Sequence, residues 1–241
     1  MRDTAPSRPS HDILRALGVF VVIALIVFAP LIGHLDTHIL ADDVFFTDEH
    51  GLSDSYNFLW TYWWIQTATL TGESMLHCDW VLPPTGADLL WHTHVIVPSL
   101  LTLPFALLLG TVAGYNLMII LSFVLGALVF YLFLTRTLDL SWIAALLGGV
   151  LFAFAPYFVA KAHAHLNLIN TAIWGGCLAV LWHVYIKRRF TWRWAFVFAV
   201  LFWASLWTSF VETFTLSLAI VFSIVLLEVL RFHRLYDWQG R

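Results

Sequence analysis

Six separate runs of roughly 20 apolar residues, at 13–35, 115–135, 141–160, 169–186, 192–210 and 211–230, constrain this chain more than any other feature. A helix of that length crosses the hydrocarbon core of a bilayer with its backbone polar groups satisfied internally. The runs predict an all-α polytopic membrane protein with six transmembrane helices. The first run is too long, and continues too far, for a cleaved signal peptide. Composition agrees: 61% of residues are hydrophobic and 11% charged, whereas a soluble globule carries about 25% charged residues. These figures exclude a disordered chain, and the net charge of −3 excludes a basic nucleic-acid-binding domain. Two cysteines make no disulfide scaffold. Cys78 falls in a polar segment and Cys177 in an apolar run, so no bond between them is expected.

A seventh apolar stretch, 95–110, decides the sidedness of everything after it. No Lys or Arg occurs from Ala16 to Thr135; Arg136, the group Lys187, Arg188, Arg189 and Arg193, and the group Arg231, Arg234 and Arg241 follow separately. If 95–110 does not cross, these groups and the N-terminal Arg2, Arg8 and Arg15 share one side, which the positive-inside rule makes the cytoplasm. The stretch is short and carries Pro98 and Pro104, so it reads as a helix at the outer interface. The organisation expected is a cytoplasmic N-terminus (1–12), a first span (13–35) and an outer loop (36–114) with interfacial helices near 54–70 and 95–110. Five further spans (115–232) and a cytoplasmic tail (233–241) follow. With both termini inside, the chain is placed in the cell (inner) membrane.

The outer segment from Asp36 to His94 holds nine of the fifteen acidic residues: Asp36, Asp42, Asp43, Asp48, Glu49, Asp54, Glu73, Asp79 and Asp88. Carboxylates tolerate export without directing it, so abundance alone assigns no role. Asp54 stands apart because Phe58, Leu59, Tyr62 and Trp63 follow at helical spacing. It would open an interfacial helix, where the helix dipole favours an anion. On residue types alone, a structural cap and a functional carboxylate both fit. Pro83, Pro84 and Gly86 predict a rigid turn beside Asp88. A second outer segment gathers Lys161, His163, His165 and Asn167. These residues suit a phosphate, and they equally suit snorkelling and interhelical hydrogen bonds. His92-x-His94 and His163-x-His165 are weak metal-ligand patterns, because alternate residues of a helix point to different faces. Glycines at 126, 148–149 and 175–176 read as close-packing positions. Few ionisable groups fall near the middle of any span, which argues against a transporter.

Seven pieces in order resemble the polytopic bacterial glycosyltransferases of the GT-C superfamily. They are Asp54-x3-Phe58-x-Trp60-x2-Trp63-Trp64, Pro84-x-Gly86-x-Asp88-Leu89, Gly114-Tyr115-Asn116-Leu117, Leu121-Ser122-Phe123, Ala144 to Gly149, Phe152 to Tyr157, and His165-Leu166-Asn167-Leu168. The likeness covers about residues 13–168, with a looser echo at 205–214. It implies a GT-C-like N-terminal module that moves a sugar from a polyprenyl-phosphate donor to an acceptor on the outer face. It also implies a non-crossing 95–110 helix, which charge had already indicated. By the same likeness Asp54 is the catalytic base, with Asp48 or Glu49 as helper. Lys161, His163, His165 and Asn167, the basic and imidazole-rich cluster on the outer side after the spans begin, are the candidates for the donor phosphate, with Asp88 and Trp60 as further substrate-binding candidates. A divalent metal ion that neutralises the leaving phosphate is compatible with this chemistry, and His92 and His94 are its weak candidate ligands. Gly51 stands where similar sequences carry an Asp, and Thr61 where an Asn is common. Members of the superfamily usually have more than six spans and often a C-terminal outer domain. The expectation is therefore an N-terminal fragment, a truncated product or a half needing a partner subunit. The alternative function is a non-catalytic membrane scaffold or subunit with this architecture; a lipid or solute transporter comes third.

Overall fold

The computed structural model describes residues 9–41, 54–90, 92, 95–188 and 190–239. They form ten α-helices, a short 3-10 turn and one small β-hairpin. Four helical runs are long and apolar enough to cross a membrane: Thr111–Arg136, Trp142–Lys161, Leu166–Lys187 and Thr213–Arg231. The chain is thus a mainly helical protein with the apolar lengths of a membrane protein.

Proline sets the breaks. The predicted first span is α1 (Pro9–Val27), which ends at Phe28 and restarts as the four-residue α2 (Ala29–Ile32), with Pro30 in its first turn. The predicted 141–160 span is divided into α6 (Trp142–Ala153) and α7 (Pro156–Lys161). Pro156 forces Ala155 into an extended conformation (φ −55°, ψ 142°), since the ring excludes helical geometry at the preceding residue. By contrast, Pro98 and Pro104 do not interrupt α4 (Ile96–Leu109). Pro98 lies in the first turn, where its missing N–H has no intrahelical partner to lose, and the helix accommodates Pro104. At 14 residues α4 is about 21 Å long, shorter than the roughly 30 Å hydrocarbon core.

The helix α5 (Thr111–Arg136) is the axis of the fold. It packs against α1, α4, α6 and α8 (Thr171–Lys187), and Tyr115, Ile119, Phe123 and Ala127 are buried along it. Small residues permit the close approaches: a Cβ on Gly149 of α6 would lie 2.8 Å from the Ala127 carbonyl oxygen and 2.8 Å from the Phe20 ring. The glycine therefore packs, as its sequence position predicts. Asn116 donates to the Leu35 and His38 carbonyl oxygens at 2.8 and 2.7 Å, tying the segment after α2 to the start of α5. The last helices are α9 (Trp192–Leu206) and α10 (Phe210–Gln239). At 15 residues α9 is shorter than its predicted span, and α10 runs past the predicted end at 230 into the tail.

Two rings of contacts define the ends of the bundle. At one end, Trp142 Nε1 donates to the Asp12 carbonyl at 3.3 Å, the Lys187 ammonium meets the Asp139 carboxylate, and the Tyr185 hydroxyl donates to the Leu227 carbonyl at 3.2 Å. Arg15 in α1, Arg136 at the end of α5, Lys187 at the end of α8 and Arg231 in α10 lie within one turn or so of these contacts. At the other end lies the start of α5, where Asn116 holds the Leu35 and His38 carbonyls; nearer the middle, Ser122, midway along α5, donates to Asn170 Oδ1 at 3.3 Å, and the Val97 N–H donates to the Trp207 carbonyl at 3.3 Å.

The helix α3 (Asp54–Thr71) covers this second end, close to the predicted 54–70, yet it differs from a helix lying with one face on a bilayer. Phe58 and Tyr62 are buried in the main core, while Trp64 and Ala68 are buried in a separate cluster with Cys78 and Leu89. That second cluster belongs to the hairpin of β1 (His77–Cys78) and β2 (Ala87–Asp88), in antiparallel register His77 to Asp88. The all-α expectation thus gains two short strands. The predicted turn at Pro83, Pro84 and Gly86 lies between them, and Gly86 adopts φ +71°, a conformation open chiefly to glycine. Cys78 and Cys177 are buried and free.

Candidate functional site

The break at Pro156 is what builds the site. It turns the chain out of α6 into the short α7, after which residues 162–165 form a tight turn. His163 N–H donates to the Ala160 carbonyl at 3.2 Å and His165 N–H to the Lys161 carbonyl at 2.8 Å. The 3-10 turn Leu166–Ile169 follows, held by Asn170 Nδ2 donating to the Leu166 carbonyl at 2.9 Å. This polar segment is thereby fixed over the end of α5, facing the N-terminus of α3.

The two segments meet. His165 Nε2 lies 3.4 Å from Asp54 Oδ2, with the two side chains 40% and 50% exposed. The neighbouring Ser55 hydroxyl donates to the His163 backbone carbonyl, and the buried Tyr115 hydroxyl donates to the Ser55 carbonyl at 3.3 Å. Ser55 is itself buried, so the first turn of α3 is clamped to both the imidazole-bearing turn and α5. The Asp54 carboxylate stands at the N-terminus of α3, where the helix dipole favours negative charge. His165 Nδ1 is buried without a hydrogen-bond partner among the described residues.

The other residues singled out from the sequence fall in two groups. Lys161 ends α7, with Nζ 5.9 Å from the centre of the Tyr157 ring and no ion pair among the described residues. His163 Nδ1 lies 3.0 Å from the Val159 carbonyl oxygen. A carbonyl only accepts, so Nδ1 carries the proton and Nε2 is left for another partner. Asn167 is buried in the 3-10 turn. These three share the polar turn with His165. Asp88 and Trp60 belong instead to the hairpin. Asp88 Oδ1 accepts from the Leu90 N–H at 2.8 Å, and Trp60 packs against the hairpin cluster and sits edge-on to His92, ring centres 6.0 Å apart.

Asp48, Glu49 and His94 lie outside the described residues, as does the side chain of Glu212. Among the described residues no three His, Cys, Asp or Glu side chains converge as a metal site would require. Ser55 and Tyr115 were not singled out as site residues from the sequence. Adjacency to Asp54 was the one local hint for Ser55, and Tyr115 carries none beyond its place in an ordered series of motifs.

In the main core, Tyr62 Oη of α3 lies 2.9 Å from Thr102 Oγ1 of α4. Burial pushes its phenol up from the usual tyrosine range, against the opposing hydrogen bonds to Thr102 and Gln66.

Chemically, the end of the bundle offers a half-exposed carboxylate, an imidazole beside it, an unpaired ammonium on the adjacent turn and a second imidazole with one nitrogen unclaimed. A carboxylate of this kind can take a proton from a hydroxyl, the ammonium can receive a phosphate, and the unclaimed imidazole nitrogen can accept from a hydroxyl. Comparisons of the chain with protein families, with curated proteins and with solved structures give no match.

Proposed function

We propose that this chain is an integral membrane glycosyltransferase-like protein with a GT-C-like architecture, transferring a sugar from a polyprenyl-phosphate donor to an acceptor on the outer face. In this reading α1, α5, the α6–α7 pair, α8, α9 and α10 are six crossings. The end bearing arginine and lysine is cytoplasmic, and α3, α4 and the hairpin lie at the outer surface of the inner membrane. The observation that carries it is the 3.4 Å approach of Asp54 to His165, two polar groups from distant segments brought to one face of the bundle.

The reaction assigns each group a task. Asp54 takes the proton of the acceptor hydroxyl as its oxygen forms a bond to the anomeric carbon. The bond from that carbon to the donor phosphate oxygen breaks, and its electron pair leaves with the polyprenyl phosphate. Lys161, at the end of α7 just before the His165 turn, receives the charge developing on the phosphate, while His163 Nε2, an acceptor with Nδ1 protonated, takes a hydrogen bond from a sugar hydroxyl. His165 holds the Asp54 carboxylate in place. Asp48 and Glu49 precede Asp54 in the sequence and remain helpers in this proposal.

The test is sugar transfer from a polyprenyl-phosphate donor in membranes carrying either the native chain or Asp54→Asn at matched expression. Turnover by the native chain and its loss in the variant are expected. Turnover no higher than in membranes lacking the chain, in native and variant alike, would leave it a non-catalytic scaffold in which Asp54 caps a helix; turnover above that level and equal in both would remove Asp54 as the base.

A further inference from the structure

At the basic end of the bundle, away from the Asp54 site, a groove of about 580 Å³ runs between α5, α8 and α9. That size falls within the roughly 300–1,000 Å³ of ordinary ligand sites. Its length is apolar, with room left by the small side chains of Gly176 and Ala179 on α8. Its mouth is not apolar: Arg136, Thr137, His183 and Trp194 line it. Two of these are tied to each other, His183 Nδ1 lying 2.9 Å from Thr137 Oγ1, and the Trp194 ring lies 4.6 Å from the imidazole.

Arg136 differs from its neighbours in having no carboxylate partner among the described residues. Asp139, three residues on, is taken by Lys187. Asp12, which lines an adjoining cleft with Arg136, is paired with Arg15 at 3.7 Å. The guanidinium fork therefore remains available at the mouth of a long apolar channel, and Arg188 and Arg193 add positive charge near the same end. The exposed Phe190 and Trp192 at the start of α9 are suited to a lipid–water boundary. A cationic head-group site opening into an apolar groove is complementary to one kind of molecule.

We infer that this groove binds an anionic phospholipid, with an acyl chain lying between α5, α8 and α9 and the phosphate held by Arg136. The inference does not depend on the transferase chemistry at the other end. Basic pockets between membrane helices recognise lipid head groups in this way, through charge and a bidentate fork.

The full chain, purified in detergent, can be titrated with phosphatidylglycerol, with phosphatidylcholine of the same acyl chains, and with soluble glycerol 3-phosphate, following bound lipid by native mass spectrometry and stability by thermal unfolding. Phosphatidylglycerol should be retained and raise the unfolding temperature above the phosphatidylcholine sample, while glycerol 3-phosphate alone produces no shift. Arg136→Gln should weaken phosphatidylglycerol binding about tenfold, the weight of one charge-assisted hydrogen bond, and Arg136→Lys, which keeps the charge and loses the fork, should restore only part of it. Val197→Trp, which fills the groove from α9, should weaken it with Arg136 intact. Equal retention of the two lipids would overturn the inference, as would indifference to both Arg136→Gln and Val197→Trp. A full shift from glycerol 3-phosphate would replace the lipid by a free phosphate and overturn it too.

Discussion

The Asp54–His165 contact separates a structural from a chemical role by magnitude. Both side chains are about half exposed and the contact is 3.4 Å, so solvent screens the pair. Exposed pairs of this kind contribute about 0.2–1 kcal/mol to stability. Asp54→Asn keeps the shape and removes the charge, so it should destabilise by no more than about 1 kcal/mol, roughly a fivefold change in the folding equilibrium. Losing a general base costs about 10²–10⁴ in rate, or about 3–5 kcal/mol of barrier. The two effects differ enough to be read separately in one set of four proteins: native, Asp54→Asn, His165→Gln and the double variant. Unfolding midpoints in detergent should show coupling below about 1 kcal/mol. Initial rates of sugar transfer in proteoliposomes should collapse in Asp54→Asn and fall less in His165→Gln, whose role is to position the carboxylate. In the double variant the losses should not add, because His165 has no carboxylate left to hold. Stability coupling of several kcal/mol with undiminished transfer in Asp54→Asn would refute the reasoning and make the pair a structural tie.

Two further expectations follow from packing. Gly149→Ala places a methyl group 2.8 Å from the Ala127 carbonyl and from the Phe20 ring; overpacking of this kind should cost about 1–3 kcal/mol, seen as a lower unfolding midpoint. Tyr62 has a folded pKa raised above the unfolded value of 10.0, chiefly by burial. Its contribution to stability is therefore fully present below that value and is lost as pH rises through the folded pKa. Tyr62→Phe should flatten this alkaline loss in an unfolding titration, and an unchanged alkaline slope would count against it.

Much of the architecture was legible in local sequence. Apolar length marked the helical runs: four of the six are long and apolar enough to cross a membrane. The short α4 and the Pro-Gly turn of the hairpin were visible in their own residues. Other features were not. The division of 141–160 into α6 and α7 depends on Pro156 acting on Ala155, yet Pro104 sits inside α4 without ending it. Both are prolines in apolar runs, and only their surroundings distinguish them. Likewise the helical spacing after Asp54 gave the position of α3 but not its second buried face, because Trp64 and Ala68 find their partners on a hairpin that follows.

The same division holds for the candidate site. Residue types alone marked Asp54 as a helix-opening carboxylate and 161–167 as a polar, imidazole-bearing turn, since each property resides in a few consecutive side chains. That the two touch was a decision of the tertiary structure. It required α5 to serve as a common support, Tyr115 and Ser55 to lock the first turn of α3, and the break at Pro156 to bring the histidines over it. Local sequence encodes conformation through short-range sterics and hydrophobic periodicity; proximity between distant segments is set by how whole helices pack, which no short window contains.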